Sequence, residues 1–268
     1  MTTWSVVTWN MNLASKRNPG RNWAFLDRLI EDEQIDVALL SEAMGSPRTD
    51  TLYGSRGSSG TLGRDGKQRD WSTAIVSKHG PVEIHDAVAV NYLGYPRTHL
   101  PFASSRPGAW TAAQMTLEGE LTVTFISLYG LLDDIGDASV HRSLSDLDPL
   151  FTDPRYNKHI VLGGDLNLST QMPQGMARER SAAVFTRLKA LGLTECLEAR
   201  WNPERRIEDC PCEQGEACRH VKTKKGDKYQ MDYLFASESL TLDDCLPIET
   251  QPWRDFSDHA PVLARFVN

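Results

Sequence analysis

Short apolar runs of strand length recur along this chain with fewer helical segments between them, which restricts it to a layered α/β arrangement and excludes a helical bundle. The clearest strands are expected at Trp4–Thr8, Val37–Leu40, Thr73–Ser77, Leu121–Leu128, His159–Leu162, Met231–Ala236 and Pro261–Phe266. Helical spacing occurs in Asn22–Glu33, where Phe25, Leu26, Leu29 and Ile30 form one apolar stripe. It occurs again in Ala182–Leu191, started by Ser181 and stopped by Gly192, and more weakly near Asp137–Phe151.

With 268 residues, 40% hydrophobic and 24% charged, the chain falls in the globular range and is long enough to bury a core without staples. No linker or composition shift divides it, so one domain over residues 1–268 is expected, with a cysteine-rich insertion at about 201–229. The net charge of −7 argues against nucleic-acid binding through a generally basic surface. It does not argue against an enzyme, because a carboxylate site contributes to that balance and needs a cation before it accepts a phosphate. The start, MTTWSVVTWN, has no basic region followed by an apolar stretch, and no run approaches ~18 apolar residues. A soluble, cytoplasmic monomer with no membrane partner is therefore expected.

Polar residues sit where apolar strands end, which is where open α/β sheets place their ligands. Asn10 follows the first run, Glu42 follows VALLS, Tyr129 follows TFISL, and Asp165 and Asn167 follow HIVLGG. Asp258 and His259 precede the last run, and Asp232 interrupts QMDYLF. Each alone has an ordinary explanation: Asp-x-Asn after Gly-Gly is often a turn, and Ser-Asp-His before a strand is often a turn and cap. The case rests on the set.

Thr8-Trp9-Asn10, Leu40-Ser41-Glu42, Ser127-Leu128-Tyr129, Gly163-Gly164-Asp165-Leu166-Asn167, Met231-Asp232-Tyr233 and Ser257-Asp258-His259-Ala260-Pro261-Val262 occur in this order. The pattern resembles the endonuclease/exonuclease/phosphatase superfamily and spans residues 4 to 266, with GGDLN and SDHAPV its most specific pieces. The resemblance implies a four-layer α/β sandwich of two packed mixed β-sheets flanked by helices, and metal-dependent phosphoester hydrolysis at one edge. It implies metal ligation by Glu42 with Asn10 beside it and Asp258 in the metal shell. Asp165 then orients or deprotonates the attacking water, and Asn167 holds the scissile phosphate. His259, oriented by Asp232, contacts that phosphate, and Tyr129 stands where some members carry Tyr and others His. Two positions depart from the family pattern. Ser41 stands where Gln is common, so a support next to Glu42 is expected to be lost, and Asn12 replaces the Asp of apurinic endonucleases.

These residue types suit the chemistry on their own. A phosphodiester repels hydroxide, so a hard cation on oxygen ligands, Mg²⁺ or Mn²⁺, neutralises charge. An uncharged Asn donates to phosphoryl oxygen without repulsion, and a His held by a carboxylate keeps one tautomer and gains basicity.

Two further stretches read as loops. Gly54–Asp70 carries five glycines interleaved with Arg56, Arg64, Lys67 and Arg69. In the second, Cys210, Cys212, Cys218 and His220 supply the ligand count of a closed structural Zn²⁺ site, with reduced thiols or a disulfide as alternatives. Lys222, Lys224, Lys225 and Lys228 follow, either as a solvated lysine run or as a clamp on nucleic-acid phosphates. The first expectation is a Mg²⁺-dependent nuclease cutting DNA or RNA. A phosphatase or phosphodiesterase on a small molecule or lipid headgroup is the alternative, and a non-catalytic binding module on this fold comes after it.

Overall fold

The computed structural model describes residues 2–13, 18–45, 53–56, 61, 67–80, 83–84, 88–89, 103–132, 137–169, 176–199, 230–248 and 252–268. In chain order the first elements are β1 (Thr3–Asn10), α1 (Pro19–Asp32), β2 (Val37–Ala43), β3 (Tyr53–Arg56), β4 (Ser72–Ser77), β5 (Glu83–Ile84), β6 (Val88–Ala89) and β7 (Ala103–Ser104). Then come β8 (Trp110–Thr116), β9 (Thr122–Leu128), α2 (Ala138–Asp146), α3 (Asp148–Thr152), β10 (Ile160–Asp165) and α4 (Met176–Ala190). The chain continues through β11 (Leu193–Glu195), α5 (Cys196–Ala199), β12 (Asp232–Ser237), β13 (Thr241–Pro247) and β14 (Val262–Val267).

Two mixed sheets form, in the orders β13-β14-β1-β2-β4-β3 and β11-β12-β10-β9-β8-β5, with β6 and β7 a separate pair. Their inner faces pack on each other, and alternation along the second sheet shows it. Val123, Phe125, Val161, Leu234 and Ala236 join the core shared with the first sheet and α1. Their neighbours Ile126, Leu128, Ile160, Leu162, Tyr233 and Phe235 face the other way, onto Val140 and Leu144 of α2, Leu150 of α3, and Val184 and Leu188 of α4. The order of layers is therefore α1, first sheet, second sheet, then α2 to α4. Both faces of the central strands are covered, which is why they read as continuous apolar runs. Trp4 ties the layers, stacking on Phe266 at 4.4 Å and meeting Phe125 of the other sheet edge-on at 6.2 Å.

The α1 stripe is as expected, with Asn18 accepting from Arg21 N and Pro19 opening the helix. Three expectations need correction. Ser181 does not start α4; it lies inside a helix that begins at Met176, is buried, and donates to Ala177 O. Such back-bonding satisfies a hydroxyl within a helix, so a Ser ahead of an apolar stripe is not by itself a cap. Gly192, at φ +79°, does follow its end. The third helical segment is two helices, α2 and α3, joined at Leu147. The stretch expected to be a loop from Gly54 begins instead as β3, which pairs antiparallel with β4. An edge strand tolerates the glycine that hid it. No helix among the described residues is long and apolar enough to cross a membrane.

Candidate active site

Topology alone brings the chemistry-bearing residues to one edge. β1 and β2 run parallel, so their C-terminal ends pair Asn10 with Ser41 and bring Glu42, the next residue, to the same edge. β9 and β10 run parallel in the other sheet and end at Leu128 and Asp165, with Tyr129 next after β9. β12 is antiparallel to β10, so it enters at that edge with Asp232 as the Cα partner of Asp165. β14 is antiparallel to β1, which brings its lead-in, Asp258 and His259, to the same place.

The backbone there is specialised. Asn12 N donates to Asn10 Oδ1 (2.8 Å), Asn167 N to Asp165 Oδ1 (2.9 Å), and His259 N to Ser257 Oγ (3.0 Å). All three are turns in which a side chain accepts the amide two residues on, so the ordinary turn reading of these triplets holds alongside the functional one. Asn12, Asn167 and Glu42 have φ of +52°, +52° and +49°. Glu42 lies where pairing between β2 and β4 loses register. Such a conformation is uncommon for non-glycine residues and concentrates at functional sites. Gly164, at φ +150°, permits the approach to β9, since a Cβ there would overlap Leu128 O.

Hydrogen bonds then close the site across the seam between the sheets. Asn10 Nδ2 donates to Asp165 Oδ2 at 2.9 Å, and Tyr129 Oη to Glu42 Oε1 at 3.0 Å. His259 Nδ1 meets Asp232 Oδ2 at 2.6 Å. Asn167 Nδ2 donates to Gly130 O at 2.8 Å and to Asp165 Oδ2 at 3.3 Å, so its amide orients Asp165. Trp71 packs edge-on against Tyr129 at 5.2 Å.

Electrostatics follow from burial. Asp165 is 1% exposed, and burial pushes its carboxyl up to about 7; the charge on Asp232 adds to this, while His259, Asn10 and the Asn167 amide hold it down. For His259, burial works against the imidazolium, but Asp232, Asp165 and Asp258 outweigh it and the ring is raised to about 10. Burial, with the charges of Glu42 and Asp165, raises the Tyr129 phenol far above its ordinary value, so it stays protonated as a donor.

Two groups of side chains bear on metal binding. Ligand atoms of Asp165, Asp232 and His259 all lie within 4.8 Å of one another. However, His259 Nδ1 is already held by Asp232, and both Asp165 oxygens accept amides, so this group is suited to handling protons. The other candidates are Glu42, Asn10 and, in the loop before β14, the half-buried Asp258, which strand pairing brings to the same edge. Their donors are all oxygens, the set a hard divalent cation takes, so the residues present fit such an ion. Asp232 Oδ1 is buried with no hydrogen-bond partner among the described residues, although Oδ2 of the same carboxylate meets the His259 ring.

The other expected site residues are described only in part. Lys67 is exposed and Arg69 half-buried in the segment leading to β4, where Arg69 N donates to Thr61 O. Arg56 is on β3, where only the backbone is described. Arg64, Cys210, Cys212, Cys218, His220, Lys222, Lys224, Lys225 and Lys228 lie outside the described residues. Cys196 and Cys245 are buried. Asn22 was not anticipated from the sequence: its amide donates to Met11 O and Phe256 O, tying the exit of β1 to the loop that leads to His259. Its signal was a polar residue on the same helical face as Phe25, Leu26 and Leu29.

Comparison with known proteins agrees with this architecture. The 3'-5' exonuclease (NExo) from Neisseria meningitidis superposes with a TM-score of 0.62 at 19% identity, over 98% of this chain and 99% of that one. A humanized D. rerio TDP2 gives 0.62 at 17% identity, over 99% of both chains. A mannosyl-6-phosphatase from Bacteroides thetaiotaomicron gives 0.62 at 13% identity, over 99% of this chain and 100% of that one. These likenesses concern the fold. No curated protein sequence matches the chain. The model of the Endonuclease/Exonuclease/phosphatase family matches residues 7–259, and the chain belongs to that family.

Proposed function

We propose that this protein is a divalent-metal-dependent phosphodiesterase, with Mg²⁺ or Mn²⁺ as the ion and DNA or RNA as the substrate. The observation that carries the reading is the cross-seam arrangement of Asp165, Asp232 and His259 beside the Glu42 carboxylate. Glu42, Asn10 and Asp258 would hold the ion, which when bound neutralises phosphate charge and polarises the scissile bond.

Asp165, with its carboxyl near 7, takes a proton from the attacking water at neutral pH. Asn10 and Asn167 fix the direction of that carboxylate through their amides. His259 is an imidazolium below about 10; with Nδ1 on Asp232, its Nε2 donates to the oxyanion that develops. Tyr129 orients Glu42 and remains protonated.

Nucleic acid is favoured by the basic residues of 56–69 and 222–228, which suit a substrate with phosphates on both sides of the cut. A phosphatase or small-molecule phosphodiesterase would use the same machinery, and the likeness to a phosphatase at the same TM-score keeps it as the second reading. Purified protein incubated with plasmid, linear duplex, single-stranded DNA, RNA and a sugar phosphate, each with Mg²⁺, Mn²⁺ or EDTA, separates the two. Release of inorganic phosphate from the sugar phosphate with no cutting of any polynucleotide would replace the first reading by the second.

A further inference from the structure

We propose that Ser41 is a positioning residue: its hydroxyl, together with that of Ser127, clasps the two sheets behind the site and sets Asp165 against Glu42. The proposal rests on the phosphodiesterase reading above. Ser41 is fully buried in β2, immediately before Glu42. Its carbonyl accepts from Met11 N at 2.9 Å within its own sheet, while its Oγ accepts from Asp165 N at 3.2 Å in the other. One residue earlier the bond is made in the reverse sense, as Ser127 Oγ from β9 donates to Leu40 O at 2.8 Å. Two hydroxyls, one from each sheet, thus join consecutive residues of β2 to the paired strands β9 and β10.

The arrangement follows from the backbone on both sides. After Leu40 the regular register with β4 is lost and Glu42 turns to positive φ, so sheet pairing with β4 does not hold the chain at Ser41. In β10, Gly164 bends at φ +150° and the next amide, that of Asp165, points across the seam. Without the serine that buried amide has no acceptor, and the backbone carrying the general base is free to shift relative to the backbone carrying Glu42. The sheets approach closely nearby: a Cβ on Gly163 would lie 3.0 Å from Leu39 Cδ1. The serine at this position therefore acts on the partner strand, as a support for Asp165. Misplacing a reacting group by about 1 Å can cost on the order of 10²-fold in rate, so a lost clasp should appear in turnover.

The test is steady-state hydrolysis of a single-stranded oligonucleotide and of bis-p-nitrophenyl phosphate by wild type, Ser41→Ala and Ser127→Ala. Assays run well below each unfolding temperature, and amide exchange at Asp165 is measured in parallel. The expected result is a fall in kcat of about tenfold or more for Ser41→Ala. KM and the half-saturating Mn²⁺ concentration should stay within about twofold, with faster exchange at Asp165 and a smaller fall in kcat for Ser127→Ala. If Ser41→Ala does not fold, Ser127→Ala decides by the same split. A folded variant with lowered Tm and unchanged kcat would make the clasp merely structural and overturn the proposal. A wild-type protein inactive on every phosphoester would instead remove the phosphodiesterase reading, and the positioning role with it.

Discussion

His259 Nδ1 and Asp232 Oδ2 meet at 2.6 Å although His259 leads into the first sheet and Asp232 opens a strand of the second. Asn10 to Asp165 and Tyr129 to Glu42 cross the same seam. The site is thus a product of docking the sheets, and its electrostatics depend on water being excluded between them.

A first consequence is the pH profile. Asp165 must lose its proton to act, and its carboxyl lies near 7; His259 must keep its own, and its ring lies near 10. Hydrolysis should rise with pH up to about 7, with a bound cation drawing this limb lower, and fall again near 10. Both values are raised, so stability of the metal-free protein should decline with pH. The Asp165 contribution is present below about 4 and lost as pH rises through about 7; that of His259 is present below about 6.5 and lost as pH rises through about 10. Unfolding temperature measured from pH 5 to pH 10 in EDTA checks this, and His259→Ala should flatten the upper part.

Substitutions at the proton-handling group should separate rate from folding. Asp165→Asn and His259→Ala are each expected to lower turnover by at least about 10²-fold, with circular dichroism unchanged. Asp232→Asn should lower the pH at which the alkaline limb falls, because the carboxylate that favours the imidazolium is gone. Near wild-type turnover in a folded Asp165→Asn variant would remove the general base from the account.

Much of this candidate site was legible because its residues sit at strand ends, and central strands covered on both faces are unmistakably apolar. The rest was hidden for physical reasons. β8, Trp-Thr-Ala-Ala-Gln-Met-Thr, is mostly buried, yet its mixture of polar, small and large residues gives no period. β13 is an edge strand whose Asp243 and Asp244 sit at a break in register, so its polarity resembles a loop. The bond from Ser41 to Asp165 joins residues 124 apart in sequence. No local pattern encodes it, and the sequence shows only the departure from Gln.

Substituting the lysines tests a polynucleotide against a small substrate. Replacing Lys222, Lys224, Lys225 and Lys228 by Ala should weaken nucleic-acid binding and flatten its salt dependence, since each lost phosphate contact also removes counterion release. Hydrolysis of bis-p-nitrophenyl phosphate should change little. Nucleic-acid cleavage indifferent to the change would return these residues to an ordinary solvated run.

The cysteine-rich insertion makes a separate prediction. Cys210, Cys212, Cys218 and His220 should bind about one structural zinc, measured by elemental analysis of protein purified without added metal. Less than about a tenth of an equivalent, with freely titratable thiols, would favour the reduced-thiol alternative.

The central claim is hydrolysis of a nucleic-acid phosphodiester supported by a cation on Glu42. Its most direct test is cleavage of labelled single-stranded and duplex oligonucleotides by metal-free protein titrated with Mg²⁺ or Mn²⁺, beside Glu42→Gln. No cleavage is expected in EDTA, with recovery on adding either ion and at least about a tenfold higher metal requirement in the variant, because it removes the ligand charge assigned directly to the ion. Undiminished hydrolysis without metal, or a Glu42→Gln titration that overlays the wild type, would contradict that claim.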